Sequence, residues 1–170
     1  MPPNETRFTA DALGHRLTLV AAPGLFSADR LDDGTRLLLD NLPSTPPRHV
    51  LDLGCGVGGL ALPIAAAHPE AKLLLIDRDL LAVKYAARNA SQLGLANVEC
   101  RGSLGMRDVG EGPFDWVLSN IPARIGRNAI ASFAKVGAAR LASGGEVRFV
   151  VIRDLGPMVE EVLATEKLEG

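Results

Sequence analysis

The sequence predicts a doubly wound α/β fold on a parallel sheet, and three observations carry that expectation. From Arg48 onward, strand-like and helix-like segments alternate. The strands are apolar throughout, as in K-L-L-L-I over 72–76. The first of them runs directly into a glycine-rich turn, D-L-G-C-G-V-G-G over 52–59. Apolar strands separated by helices belong to a sheet covered on both faces. Right-handed crossovers then make it doubly wound.

Residues 1–6 read as a frayed terminus, and R-L-T-L-V over 16–20 alternates as a strand does. Ala21-Ala22-Pro23-Gly24 reads as a turn and 25–30 as a loop. Asp33 is expected to cap a helix carrying Leu37, Leu38, Leu39 and Leu42. The P-S-T-P-P run at 43–47 then breaks the chain, so 1–47 reads as an N-terminal strand and helix extension and 48–170 as the core of a single domain. Within the core, strands are expected at 49–52, 72–76, 98–100, 114–118 and 147–152. Helices are expected at 59–68 with Pro63 inside, from the Asp79 cap to Leu93 with Gly94 as stop, at 127–142, and from Pro157 as a first residue.

A chain of 170 residues is one domain's worth of protein, with 47% apolar and 22% charged residues, the mix of a globular chain. Aromatics are only 4%, so Leu, Val, Ile and Ala must fill the core. A net charge of −2 excludes a generally basic nucleic-acid coat but leaves room for a local basic patch. Cys55 and Cys100 are far apart with no Cys-x-x-Cys, so no metal site is expected and free thiols in a reducing cytoplasm are. The apolar runs are too short to span a bilayer, and the opening M-P-P-N-E-T lacks a leader's features, so no membrane partner is expected. His15, His49 and His68 are scattered and suggest no chemistry.

In the glycine turn, Gly54 permits a tight bend, Gly56 lets a ligand approach the backbone, and Gly58 or Gly59 lets the next helix pack close. Gly54, Gly56 and Gly59 also satisfy the dinucleotide pattern. Asp52 argues against a dinucleotide, because a carboxylate at the turn repels a pyrophosphate. It suits a ligand without phosphate and with cationic groups, as in S-adenosylmethionine. Asp77, closing the second strand, can accept from both ribose hydroxyls of such a ligand. Cys55 reads as a small packing residue of the turn.

The fourth strand ends in L-S-N-I-P-A-R over 118–124. Ligands of open parallel sheets bind beyond the carboxyl ends of the strands. Asn120 offers an amide oxygen there, and Ile121 a backbone carbonyl stiffened by Pro122. Two such acceptors can grip both hydrogens of an exocyclic amine and turn its lone pair toward an electrophile, so that catalysis is positioning.

Three stretches carry a family resemblance: P-G-L-F-S-A-D-R-L-D-D-G-T-R-L-L-L (23–39), V-L-D-L-G-C-G-V-G-G (50–59) and F-D-W-V-L-S-N-I-P-A (114–123). The chain from Phe26 to Ile152 resembles a class I S-adenosylmethionine-dependent methyltransferase of the small-methyltransferase-domain group. Its best-known members methylate guanine N2 in small-subunit ribosomal RNA. The resemblance implies a Rossmann-like sheet, S-adenosylmethionine as cofactor, and ribosomal RNA or the small ribosomal subunit as partner. It also implies that Asp33, Gly34 and Thr35 line the donor pocket at its methionine end, with Ser103 near the adenine amine. Arg30, Arg124 and Arg127 would meet RNA phosphates. Ile121 stands where relatives carry a first Pro, and Ala123 where they carry an aromatic ring. Relatives finish with an antiparallel edge hairpin that has no counterpart here, so an open sheet edge able to pair with a second copy is expected. Two alternatives accompany the leading reading: methylation of a protein glutamine amide at N5, and a donor-binding module without turnover.

Overall fold

The computed structural model describes residues 5–103, 109, 112–121 and 126–165. It opens with an antiparallel hairpin of β1 (Thr6–Ala12) and β2 (His15–Ala21). Only β2 is legible in the sequence, and Thr6, expected in a frayed end, begins β1. The two residues joining the strands, Leu13 and Gly14, both have positive φ, 51° and 80°. That is the geometry of a tight hairpin turn whose twist matches its strands. Phe8 and Ala10 of β1 are buried. Tyr85 Oη (2.7 Å) and Arg88 Nη1 (2.5 Å) both donate to Glu5 Oε1, which ties the start of the hairpin down.

The large sheet has five strands among the described residues: β3 (His49–Leu53), β4 (Lys72–Asp77), β5 (Val98–Gly102), β6 (Phe114–Asn120) and β7 (Leu141–Val150). Their spatial order is β5-β4-β3-β6-β7, and every neighbouring pair is parallel. This is a doubly wound α/β fold, and the strand order reverses beside β3. The period-2 alternation of strand side chains divides the core in two. Val50, Leu73, Leu75, Trp116 and Leu118 pack with the hairpin, α2 (Ala61–Ala67) and α3 (Leu80–Gln92). Leu51, Leu53, Ile76 and Val117 pack on the other face with Phe133 and Val136 of α4 (Arg127–Ala139). Helix α1 (Asp33–Asp40) leans on β6 and β7, and α5 (Gly156–Thr165) packs on α4.

Several boundaries differ from expectation, each for a local reason. Helix α2 starts at Ala61, so Pro63 falls in the first turn, where its missing N–H costs no hydrogen bond. Helix α4 ends at Ala139, and β7 begins before the glycine pair rather than after it. Gly144 (φ 77°) and Gly145 make an irregularity inside β7. A Cβ on Gly145 would lie 2.9 Å from the Phe114 carbonyl oxygen, so the strands meet there only as backbone. A short 3-10 turn (Arg153–Leu155) precedes α5, which starts one residue before Pro157.

Buried Asn89 of α3 joins three elements. Its Oδ1 accepts from Val20 N–H (2.9 Å), while Nδ2 donates to the carbonyls of Val20 (2.9 Å) and Val57 (3.0 Å). One side chain thereby fastens the hairpin and the glycine turn to the same helix.

Candidate active site

The carboxyl ends of β3 and β6 flank a cavity at the reversal point. It is lined by Phe8 and Phe26, the 27–35 segment through Ser27, Arg30, Asp32 and Thr35, the turn from Asp52 to Leu60, and Asn120. A wider, open hollow lies at the opposite end of the sheet, lined by Ala65, Leu73, Asn97 and Phe114. Asn97 there already donates to the carbonyls of Ala65, His68 and Ala71. The residues singled out from the sequence gather instead around the smaller cavity.

The glycine turn leaves β3 with positive φ at Gly54 (75°), Gly56 (55°) and Gly58 (91°). Beyond Gly54 and Gly56 nothing lies within 4 Å of where a side chain would begin, so backbone faces open space there. Gly58 works differently: a Cβ would come 2.7 Å from Leu62, so this glycine lets the turn pack on α2 and does not face the cavity. Asp77 Oδ2 accepts from Gly56 N–H (2.9 Å) and Oδ1 from Asp79 N–H (2.9 Å). It therefore shapes the turn as well as standing at the end of β4. Ser103 is buried at the end of β5, its N–H on the Asp77 carbonyl at 2.9 Å.

Asp52 is 2% exposed, and its Oδ2 has no partner among the described residues. Burial, and then the neighbouring Asp77 charge, push its carboxyl up to about 7, against the Ala61 N–H that faces it. An unpaired buried carboxylate beside a second acid is costly unless a cation comes to it. The Cys55 thiol is raised by burial and then by the Asp52 charge, which makes it inert as a nucleophile.

Asn120 closes the cavity from β6. Its Nδ2 donates to Asp32 Oδ2 (2.6 Å) and to Thr35 Oγ1 (3.0 Å). Both amide hydrogens are committed, which sets the rotamer and leaves Oδ1 as the free end of the amide. Gly34 lies directly beneath: a Cβ on it would stand 2.9 Å from Asn120 Oδ1. Ser119 Oγ donates to the Leu53 carbonyl (2.6 Å), which ties β6 to β3 one residue before Asn120.

The helix cap expected at Asp33 is a correction. Asp32 is the N-cap, and its Oδ2 accepts from Gly34 N–H (2.9 Å) and Thr35 N–H (3.3 Å), whereas Asp33 is exposed. Asp32 is the site residue that sequence reasoning passes over. Its only local signal is a second carboxylate beside Asp33. Arg30 stands on the cavity rim, while Arg127 pairs in bidentate fashion with Glu161 of α5, at 2.7 and 2.5 Å, on the surface. Ile121 is buried against Ile130 and Val162, and its N–H donates to the Val150 carbonyl (2.8 Å). Pro122 and Arg124 lie outside the described residues.

A model of the family described as "Methyltransferase small domain" matches residues 16–166. The chain belongs to the methyltransferase small domain family. It is 37% identical over 153 residues to the ribosomal RNA small subunit methyltransferase C of Pseudomonas entomophila, covering 86% of this chain and 46% of that one. It is 36% identical over 143 residues to the protein of the same name from Hahella chejuensis, covering 82% and 41%. Among solved structures, the Thermus thermophilus 16S rRNA N2 G1207 methyltransferase RsmC, in complex with AdoMet and guanosine, superposes with a TM-score of 0.81 at 30% identity. That match covers 94% of this chain and 46% of the other. The chain thus spans about half the length of these relatives. No helix among the described residues is long and apolar enough to cross a membrane.

Proposed function

We propose that this chain transfers the methyl group of S-adenosylmethionine to an exocyclic amine of ribosomal RNA, the N2 amine of a guanine. The observation that carries the reading is the amide of Asn120, fixed by Asp32 and Thr35 on the wall of the cavity that Asp52 also lines, with Asp52 Oδ2 buried and without a partner among the described residues. The relatives' names and the guanosine of the Thermus complex agree with it.

The residues suit that donor. Gly54 and Gly56 leave backbone open to it, Asp52 offers an Oδ2 without a partner among the described residues, and Asp77 keeps further lone pairs for a ribose diol. Bound there, S-adenosylmethionine would supply an electrophilic methyl to the amine and leave as its neutral thioether, with the proton that the amine gives up passing to water. Asn120 Oδ1 accepts one hydrogen of the amine, and the Ile121 carbonyl accepts the other. Those two acceptors direct the nitrogen lone pair, and Asp32 and Thr35 hold Asn120 in place while they do so. The work is orientation in a preorganised site, without a strong base. Arg30 on the rim meets the RNA backbone.

The acceptor is ribosomal RNA or the small subunit, which puts the protein in the cytoplasm. The outer edge of β7 has no strand beside it among the described residues, and pairing of two such edges would make a homodimer. Sedimentation of the protein over a range of concentrations checks that pairing.

The decisive experiment incubates the protein and methyl-labelled donor with total RNA, small subunits and ribosomal proteins. Label in guanine of small-subunit RNA is the expected result. Label in protein glutamine overturns the reading, and donor binding with no label anywhere leaves a binding module. Asn120→Ala should lower kcat by about a hundredfold or more with donor affinity little changed.

A further inference from the structure

We propose that Phe26 is the ring on which the acceptor base stacks during methyl transfer. The inference rests on the reading of the acceptor as an RNA base and names the surface that holds it. The chain has five Phe, one Tyr and one Trp. Phe8, Tyr85, Phe114 and Trp116 are buried, while Phe133 and Phe149 pack against the core clusters. Phe26 alone among them stands out in solvent, 62% exposed. A phenyl ring left in water forgoes the burial that usually justifies it, so its place needs a reason.

The place is the rim of the cavity that holds Asn120, Asp32 and Asp52, with Ser27 and Arg30 beside it. The chain holds the ring there by construction rather than by fraying. Leu25, just before it, is buried, and its N–H reaches the Ala22 carbonyl at 3.3 Å. Gly24 and Ser27 flank the pair with φ of 87° and 52°. A left-handed serine is a strained conformation, and such strain gathers at sites where the chain must present something.

The groups on that rim divide the labour of holding a nucleobase. A flat apolar ring meets its π face, a fixed amide oxygen takes its exocyclic amine, and a guanidinium takes its phosphate. The stretch after Asn120 brings no competing ring: no aromatic residue occurs from Ile121 to Ser132. Stacking on this side of the site therefore falls to Phe26.

The test compares the parent with Phe26→Ala, Phe26→Leu and Phe26→Trp. Each is assayed for methyl transfer to small-subunit RNA and for donor binding by calorimetry. Loss of one stacking ring should lower kcat/KM for RNA by about tenfold to a hundredfold, mainly through KM. Donor affinity should stay within about twofold, because the ring serves the acceptor. Phe26→Leu should behave like Phe26→Ala, and Phe26→Trp like the parent. In Phe26→Trp, guanosine and small-subunit RNA should quench indole fluorescence that the parent, with its buried Trp116, does not lose. Donor affinity falling as far as kcat/KM, parental activity in Phe26→Leu, or fluorescence indifferent to guanosine would each overturn the proposal. If the parent methylates no RNA, the functional reading fails by itself. Quenching by guanosine then still upholds the stacking site, and its absence still overturns it.

Discussion

Asn120 Nδ2 lies 2.6 Å from Asp32 Oδ2, a contact between residues 88 positions apart in the chain. The same Asp32 oxygen caps α1. One atom therefore fixes both the start of a helix and the orientation of the amide that faces the cavity.

The two duties of Asp32 separate on substitution. A serine caps a helix as well as aspartate does but is too short to reach Asn120. Asp32→Ser should keep the melting temperature and donor affinity of the parent while lowering kcat about tenfold or more. Asp32→Ala should in addition lose the cap, roughly 1 kcal/mol, which lowers Tm by about 2–4 °C in a chain of this size. Thermal melts beside single-turnover assays read both effects.

Gly34→Ala inverts the usual expectation for a helix. Alanine is the better helix former. Here its Cβ would stand 2.9 Å from Asn120 Oδ1 and 3.0 Å from Val150 Cγ1. Displacing the amide by a fraction of an ångström should lower kcat by about a hundredfold with little loss of donor binding. The kcat and donor dissociation constant of the variant check this.

Asp52 makes stability and donor binding respond to pH in opposite directions. Its carboxyl is raised from 3.8 to about 7 in the folded protein, so between those values the folded state holds a proton that the unfolded state lacks. That contribution to stability is full below the unfolded value and is lost as pH rises through about 7. A cationic donor favours the ionised form, so donor affinity should climb as pH rises to about 7 and then level off. Asp52→Asn should remove the stability slope and weaken donor binding to a pH-independent value. Denaturant unfolding and calorimetry across this range read both slopes.

Asp77 should matter twice over, through the ribose and through the Gly56 N–H it holds. Asp77→Ala should weaken donor binding by about 1.5–3 kcal/mol, roughly tenfold to a hundredfold in affinity. Calorimetry of the folded variant, checked by circular dichroism, measures it.

What the sequence makes legible is what short-range chemistry determines. Asp79 and Gly94 bracket α3 as a cap and a stop signal should, and the glycine turn announces itself. The choice between Asp32 and Asp33 is different in kind. Both can cap, and the decision comes from Asn120 at the far end of another strand. Arg127 likewise pairs with Glu161, which no local pattern couples to it. Hairpin strand β1 is hidden because its turn is Leu13-Gly14, without the Asn or Asp that usually signals positive φ. Gly144 and Gly145 resemble a turn in sequence, yet packing on the Phe114 carbonyl keeps them inside a strand.

Asn89 couples the hairpin to the glycine turn, because one side chain holds the Val20 N–H and the carbonyls of Val20 and Val57. A ligand that steadies the turn should therefore slow deuterium uptake at Val20 N–H, on a strand that does not line the cavity. Strand β2, unlike β1 with its cavity-lining Phe8, is then a remote reporter of occupancy.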